Sequence, residues 1–289
     1  MGIGAGAHGA RAVLTYRDSP HRAPVASRVI RRRTGRSLTS TVSESLVAVC
    51  AIAANLGLNV DHSAVAYRVE EDADAIDVHQ DIDAHREPRP TWLVHETSAQ
   101  LRYLRYTGTV PTHGSTVLCD LGSTGMTVSV LDLAAGATVT SRRTATFCGD
   151  DLDQLLRRYL ADNGVRIDIE SSRTIRERLS SAAVVSARCS ENGGHHVVTR
   201  GDLVDLIAGP VRHAAMVVEQ TIALSGTEPA SIVLLGGGAN MGSIGAAFEH
   251  RLDLRTIVPH HPEQISARGA ALLSSDKHGR RTAVWAASG

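Results

Sequence analysis

Two stretches of the chain decide its fold: TVLCDLGSTGMTVSVLDL, residues 116–133, and SIVLLGGGANMGSIGAAFEHRL, residues 231–252. In the first, an apolar run leads to Asp120, a short polar turn follows, and a β-rich run begins at Met126. This pattern predicts a hairpin whose tip presents backbone N–H groups, small hydroxyls and one carboxylate. In the second, an apolar strand ends in three glycines and a helix follows, so that a ligand can approach the backbone closely. Two such features in one chain suggest a nucleotide held between two halves of the protein.

Composition narrows the class of protein. The 289 residues allow one large or two modest domains, and with 43% hydrophobic but only 3% aromatic residues the core must be aliphatic. Lys+Arg and Asp+Glu both total 30, so net charge recruits neither nucleic acid nor membrane. The four cysteines are far apart, which favours reduced thiols over disulfides or zinc. The N-terminus lacks an apolar signal region, and the longest apolar stretch, 46–58, is shorter than the about 20 residues that span a bilayer. We therefore expect a cytoplasmic protein.

The rest of the chain alternates between strand and helix patterns, which is typical of α/β proteins. Residues 2–16 predict a hairpin around His8, and the basic stretch 18–40 a solvated face or edge strand. A helix capped by Thr41 or Ser43 is expected to end at Gly57, and Thr199 is expected to cap a long helix that bends or restarts at Pro210. The remaining predicted elements are helices at 95–105, 149–163, 170–179, 243–251 and 262–275, strands at 64–67 and 254–258, and an acidic surface helix and loop over 70–90.

Two motifs are discounted. The segment Gly4–Gly9 matches GxGxxG, but a dinucleotide site needs a full strand before it and a helix after it. Only three residues precede the motif and a strand pattern follows it, so we interpret it as a glycine-rich hairpin.

The pairs His195-His196 and His260-His261 are expected at the surface, because adjacent strand residues face opposite ways and cannot converge on a metal.

The order of these features resembles the ATPase domain of the DnaK-type (heat-shock protein 70) chaperones, within the actin/sugar-kinase fold. Six segments carry the resemblance and follow the family's order along nearly the whole chain. They are ETSAQL (96–101), DLGSTGMTVSVL (120–131), CGDDLD (148–153), RTIRERLSS (173–181), LLGGGANMG (234–242) and PEQISARGAA (262–271).

The resemblance implies an α/β, actin-like ATPase fold with two lobes, each a mixed sheet flanked by helices, and a nucleotide cleft between them. Lobe I would hold 1–114 and the returning helix 262–289, lobe II would hold 115–261, and a peptide-binding domain would be absent. The cofactor would be ATP or ADP with Mg²⁺. The implied site residues are Asp120 and Glu96 in catalysis, with Asp120 reaching Mg²⁺ through water; Gly6, Ala7, His8, Gly122, Ser123, Thr124 and Gly125 on the phosphates; and Gly149, Asp150, Arg176, Ser180, Gly236, Gly237, Gly238, Asn240 and Glu263 on the adenosine.

The departures from the family pattern concern catalysis. Gly4 stands where the family's first phosphate motif has a carboxylate, and Ala7 and His8 replace its two threonines. In the second hairpin, Gly125 and Thr127 replace a threonine and an aspartate, and no counterpart of the catalytic lysine can be identified. Backbone amides do not depend on these changes. We therefore expect nucleotide binding with weak or absent hydrolysis, signalled by lobe closure to a protein partner that the sequence does not identify.

Alternatives remain open. Asp120 can instead cap its turn, and Glu96 can be a plain surface helix residue. The protein can be a genuine slow ATPase with a chaperone-like role, or an interaction module that binds no nucleotide. A sugar or small-acid kinase is less favoured, because no substrate-phosphorylating aspartate stands in a recognisable context.

Overall fold

The computed structural model describes residues 1–20, 22–33, 35–68, 91–189 and 193–275. The strands in these ranges are β1 (Gly2–Gly6), β2 (Gly9–Leu14), β3 (Ala26–Arg31), β4 (Ser63–Tyr67), β5 (Thr91–His95), β6 (Ser115–Leu121), β7 (Met126–Asp132), β8 (Ala137–Thr144), β9 (Val184–Arg188), β10 (His195–Thr199), β11 (Ser231–Leu235) and β12 (Arg255–Ile257). The helices are α1 (Leu38–Asn55), α2 (Glu96–Tyr106), α3 (Gly149–Asp162), α4 (Ile169–Leu179), α5 (Arg200–Ser225), α6 (Gly242–Leu252) and α7 (Ile265–Ser275), with short 3-10 turns at Gly237–Asn240 and Pro262–Gln264. The helix and loop expected over 70–90 lie outside the described residues.

The chain divides into two compact units. Unit 1 comprises Met1–Thr112 and the C-terminal segment from Glu263, and unit 2 comprises His113–Pro262. Unit 1 contains a five-stranded sheet of order β3-β2-β1-β4-β5, and unit 2 one of order β12-β11-β6-β7-β8. In each sheet the central strand, β1 or β6, is antiparallel to the strand that follows it and parallel to a later one. The expectation of an α/β protein with two separate mixed sheets, each opened by a hairpin, is confirmed.

The glycine-rich hairpin of unit 1 is formed by β1 and β2, with Ala7 and His8 as its turn. A strand follows the GxGxxG match, so the dinucleotide interpretation is excluded. A Cβ on Gly9, whose φ is 148°, would overlap the backbone of Ile30 in β3. Strand β3 is the outer strand of this sheet, which confirms the expected edge strand within the basic stretch.

Helix α1 covers one face of this sheet with apolar residues such as Val42, Leu46 and Val49, which pack in a cluster with Ile3. It begins earlier than expected, because Ser37 caps it by accepting a hydrogen bond from the Ser40 amide at 3.0 Å. The predicted caps, Thr41 and Ser43, lie inside the helix. By length and composition α1 is apolar enough to cross a membrane, although 44% of its most apolar stretch is buried within the protein. Helix α1 contains most of the apolar run 46–58 and begins eight residues before it.

Helix α7 packs on the opposite face of the unit 1 sheet and against α2. A Cβ on Gly2 would overlap the backbone of Ala267 and Ala271, and a Cβ on Gly269 would overlap the carbonyl of Ala99 in α2. The absence of side chains at these glycines therefore lets strand and helices approach to backbone contact. The small residues of the ARGAA segment thus have a packing role in unit 1.

The large core cluster of unit 2 lies on one face of its sheet and is mainly aliphatic, as the composition predicts. Alternate residues of β6 and β7, including Val117, Cys119 and Val128, pack with Leu156 of α3 and Val218 of α5. Helix α5 begins at a capping box in which Thr199 and Asp202 each bond the other's backbone N–H. It runs through Pro210 as one helix, so the predicted cap is confirmed and a restart is not observed.

Candidate functional site

The tip of the β6–β7 hairpin is closed by a hydrogen bond of 3.0 Å from the Gly122 amide to the Gly125 carbonyl. Among the described residues, the amides of Ser123, Thr124 and Gly125 donate to no acceptor. A Cβ on Gly125 would stand 2.7 Å from the Thr144 carbonyl oxygen, so only glycine fits there. Successive unbonded amides in a tight turn can bind an anion. The hairpin tip therefore has the geometry of an anion-binding loop.

The N-terminus of α3 is fixed to this hairpin. The amide of Gly149 donates to the carbonyl of Gly122 at 3.0 Å, and the amide of Asp150 donates to the carbonyl of Ser123 at 2.9 Å. Neither amide therefore points at a ligand, although both residues were expected on the adenosine side. Instead they hold the hairpin tip in one position, which preorganises its remaining amides.

The carboxylate of Asp120 lies against the glycine loop. Asp120 is the penultimate residue of β6, is 9% exposed, and stands opposite Leu235 of β11 in the sheet. A Cβ on Gly236, whose φ is 78°, would be 2.5 Å from Asp120 Oδ1 and 2.7 Å from the Leu121 carbonyl oxygen. The loop and the carboxylate that the sequence treated as separate motifs are thus neighbours in unit 2.

The three glycines of this loop have different surroundings. A Cβ on Gly238 would lie 2.8 Å from the Leu121 Cβ, whereas a Cβ on Gly237 would meet nothing within 4 Å. Gly236 and Gly238 are required by packing inside the protein, and Gly237 faces open space. Asn240 is exposed at the end of the same turn, where its Nδ2 donates weakly to the Gly237 carbonyl at 3.4 Å.

Buried charges join α4 to α3. Asp153 is fully buried and accepts hydrogen bonds from Arg176 Nε at 2.5 Å and from Arg173 Nε at 3.0 Å. Arg173 also pairs with Asp150 at 3.1 Å. Although burial disfavours its charged form, the hydrogen bond and charge of Asp153 raise the pKa of Arg173. Arg176, expected on the adenosine, therefore has a structural partner that the sequence reasoning missed.

Two other expected residues have local contacts. Ser180 follows α4 and donates to the Glu177 carbonyl at 2.6 Å. Glu263, half-buried in the turn before α7, accepts from Gln264 Nε2 at 3.5 Å. Neither contact occupies the whole side chain, and the part that either residue plays toward a nucleotide stays a prediction.

In unit 1, Glu96 begins α2 and is 9% exposed, which excludes the alternative of a plain surface residue. Its Oε2 accepts from Arg68 Nη2 at 2.7 Å and Nε at 2.9 Å, and its Oε1 accepts from Ser266 Oγ at 3.1 Å. Gln100 Nε2 also donates to Ser266 Oγ at 3.1 Å. Arg68 is therefore the cation paired with Glu96. The sequence reasoning considered only lysines as the catalytic cation and missed this arginine.

Gly4 lies beside the same network. A Cβ on Gly4 would stand 3.3 Å from the Ser266 Cβ and 3.4 Å from the Ala267 amide nitrogen, which is tight contact. Gly4, which stands where the family has a carboxylate, therefore leaves no open space for a larger side chain. Gly6, Ala7 and His8, at the tip of the first hairpin, are exposed, and the His8 carbonyl accepts from the Arg32 amide at 2.9 Å.

The described residues contain no metal-binding cluster. Within the described ranges, no three His, Cys, Asp or Glu side chains converge in a way that could hold an ion. The four cysteines are free in the structure. Asp120 thus belongs to no such group of three, so it would suit a metal held mainly by water and phosphate rather than by a protein cage.

Comparison with known proteins agrees with this architecture. No family model matches the chain. The chain is 25% identical over 172 residues to the chaperone protein HscA of Klebsiella pneumoniae subsp. pneumoniae and 23% identical over 172 residues to HscA of Salmonella typhimurium. Each match covers 55% of this chain and 28% of the relative, so the chain spans less than a third of their length.

A solved structure matches more of the fold. MreB5 of Spiroplasma citri bound to ADP aligns with a TM-score of 0.64 and 12% sequence identity, covering 89% of this chain and 82% of that chain. Its fold is the actin-like one that the sequence motifs predict. The chain therefore has the actin-like ATPase fold of the actin/heat-shock-70 superfamily.

Proposed function

We propose that the protein binds ATP or ADP, hydrolyses it slowly or not at all, and passes its nucleotide state to a protein partner. The observation that carries the proposal is the arrangement in unit 2. A hairpin with unbonded tip amides, the Asp120 carboxylate and a glycine loop with open space at Gly237 are built onto the ends of adjacent strands β6 and β11. Ligands of open α/β sheets commonly bind at such strand ends.

The residues present fit a nucleotide. The tip amides of Ser123, Thr124 and Gly125 would bind phosphate oxygens. A phosphate contact at Gly6, Ala7 and His8 of unit 1 stays a prediction from the family resemblance. The glycine loop would lie along the purine and ribose, since a side chain at Gly237 would fill the space open there. The remaining adenosine-side residues, Gly149, Asp150, Arg176, Ser180, Asn240 and Glu263, would border the ligand or hold its neighbours in place.

Mg²⁺, if bound with the nucleotide, would neutralise phosphate charge. Asp120 would accept hydrogen bonds from water bound to the ion. This residue is held between β11 and β7, so its orientation is set before a ligand binds.

Slow hydrolysis is supported by the surroundings of Glu96 and Gly4. The Glu96 carboxylate is bound by Arg68 and Ser266, so it is poorly suited to accept a proton from water. Position 4 supplies no carboxylate. Loss of one preorganised group typically costs about 10²–10³ in rate, so two changes would leave little turnover.

The proposed response of a protein partner to nucleotide binding is based on the matched relatives. The matched HscA proteins are named chaperones and MreB5 was solved with ADP. We infer that nucleotide binding alters the arrangement of the two units and that a protein partner responds. A chaperone-like ATPase remains the second candidate, and a module that binds no nucleotide remains the third.

Isothermal titration calorimetry with ATP and with ADP, and a phosphate-release assay, test the proposal. We expect saturable binding of both nucleotides and a phosphate-release rate well below one per minute. Binding with a turnover that Asp120→Asn abolishes would favour the slow chaperone-like ATPase. An absence of binding to folded protein would favour the interaction module.

A further inference from the structure

A cation stands at the anion-binding hairpin of unit 2. Arg143 ends β8, and its Nη2 donates to the Thr124 hydroxyl at the hairpin tip at 2.9 Å. A Cβ on Gly125 would lie 3.3 Å from Arg143 Cζ and Nη2. The guanidinium therefore packs directly over Gly125, and the absence of a side chain at that position makes room for it.

Sheet register places Arg143 on the same face as Asp120. Asp120 stands opposite Thr127 in the β6–β7 pair, and Thr127 stands opposite Arg143 in the β7–β8 pair. Residues opposite each other in neighbouring strands project from the same face. Asp120, Thr127 and Arg143 thus form one row at the end of the sheet that carries the hairpin tip.

A hydroxyl in the middle of this row points to a missing partner. The Thr127 Oγ1 is inaccessible to solvent and has no hydrogen-bond partner within the described part of the chain. Buried polar atoms are rarely left unsatisfied, so a polar ligand group or a water is expected beside it. Two positions where this hairpin departs from the family pattern adjoin Arg143: Gly125, over which the guanidinium packs, and Thr127, which stands opposite it in the sheet.

We propose that Arg143 binds the terminal phosphates of the nucleotide and supplies positive charge that would otherwise come from a divalent cation. The inference rests on the proposed function and deepens it. A guanidinium presents paired N–H donors that match two phosphate oxygens, and its charge is permanent. Held by Thr124 beside the unbonded amides, it completes a cradle made only of protein groups. Nucleotide binding then depends little on Mg²⁺.

The test compares nucleotide affinity with and without metal. Calorimetric titrations with ADP and ATP are made in EDTA and in MgCl₂, on the wild type, Arg143→Gln and Arg143→Lys. Arg142→Gln is the matched control, because this neighbouring arginine is exposed and donates instead to Gln220 Oε1 at 2.9 Å. Inorganic tripolyphosphate, added as a competitor in EDTA, reports on the phosphate contact separately from the base.

We expect wild-type affinity in EDTA to lie within about threefold of that in Mg²⁺. Arg143→Gln should lose about tenfold or more in EDTA, Arg143→Lys should recover part of this, and Arg142→Gln should match the wild type. Tripolyphosphate should displace ADP from the wild type and fail to bind Arg143→Gln. Thr124→Val, which removes only the hydroxyl that positions the guanidinium, should weaken binding in EDTA even if Arg143→Gln does not fold.

Each of three results overturns this inference alone: wild-type binding that requires Mg²⁺, Arg143→Gln binding in EDTA as tightly as the wild type, and Thr124→Val binding in EDTA as tightly as the wild type. A folded wild type that binds no nucleotide under either condition overturns the proposed function, and this inference with it.

Discussion

At the scale of single residues, Gly237 separates ligand binding from folding. Its Cβ would meet nothing within 4 Å, so a larger side chain there would obstruct the proposed nucleotide without disturbing the packing of the protein. We expect Gly237→Val to lower nucleotide affinity by about tenfold or more, with a melting temperature close to that of the wild type. Calorimetry and thermal unfolding measure the two quantities on the same sample.

Gly238→Ala is the matched comparison. Its Cβ would lie 2.8 Å from the Leu121 Cβ, so the cost is overpacking, typically about 1–3 kcal/mol of stability. Wild-type affinity in Gly237→Val would remove the glycine loop from the nucleotide site. If Gly237→Val and Gly238→Ala lose equal stability, the interpretation that Gly237 faces open space is wrong.

Position 4 gives a second residue-scale prediction. Gly4→Asp should raise hydrolysis, or at least the Mg²⁺ dependence of binding, because it restores a carboxylate at the first hairpin. Since a Cβ at this position is in tight contact with Ser266, the substitution also costs stability. Gly4→Ala is therefore the proper reference, as it adds the same contact without the charge. Phosphate release by the two variants, compared with each other, isolates the carboxylate. Equal rates and equal Mg²⁺ dependence would contradict the assignment.

At the scale of elements, the start of α5 joins hairpin β9–β10 to the longest helix of unit 2. Thr199 Oγ1 accepts from the Asp202 amide at 3.1 Å, and Asp202 Oδ2 accepts from the Thr199 amide at 2.8 Å. Thr199→Ala should lower the free energy of unfolding by about 1 kcal/mol, whereas Thr199→Ser, which keeps the hydroxyl, should cost much less. Urea unfolding measures both. Equal losses would mean that the cap contributes little.

Acid should weaken two helix starts. The backbone N–H of Ser171 lowers the pKa of Asp168, which caps α4, and the backbone N–H of Thr199 lowers the pKa of Asp202. Because the folded pKa lies below the unfolded value of about 3.9, both carboxylates stabilise the fold above that pH, and the contribution is lost as the pH falls through the folded pKa. Unfolding midpoints in urea between pH 6 and pH 3.5 should therefore fall less steeply for Asp168→Asn than for the wild type. Exposed Glu249→Gln, which caps no helix in the structure, should follow the wild-type profile.

Elements with local signals were predictable from sequence, and contacts between distant residues were not. Thr199 precedes its helix with Asp three residues later, so the cap is visible in the sequence. The predicted start of α1, at Thr41 or Ser43, was wrong because several Ser and Thr residues near the N-terminus of this helix could each act as its cap. Only the structure shows that Ser37 accepts the hydrogen bond from the Ser40 amide.

The candidate site shows the same division. The hairpin and the glycine loop were found because glycines end apolar strands. Arg143 was missed because it lies nineteen residues from Thr124, and only strand register brings the two side chains together. Arg68 was missed in the same way, since its contact with Glu96 spans 28 positions and no local pattern encodes it.

At the scale of the whole molecule, the two units have the same sheet plan around separate cores. In each sheet, the central strand forms a glycine-bearing hairpin with the antiparallel strand that follows it. On its other side the central strand pairs with a parallel strand. Equivalent hairpins would offer equivalent backbone amides to a ligand. Under the proposed function, the backbone amides of the second hairpin would therefore bind phosphate whichever side chains the first hairpin carries.

A nucleotide bound at the proposed site in unit 2 should stabilise the molecule and protect amides there. At a concentration 100 times its Kd, ADP is expected to add about 2.7 kcal/mol to the free energy of unfolding, seen as a concentration-dependent rise in melting temperature. In hydrogen exchange, protection should appear at Ser123–Gly125 and in the 237–240 turn. Gly237→Val at the same ADP concentration should lose most of this protection. If ADP raises the melting temperature but leaves exchange at these amides unchanged, the nucleotide binds elsewhere and the assignment of the hairpin tip and glycine loop is wrong.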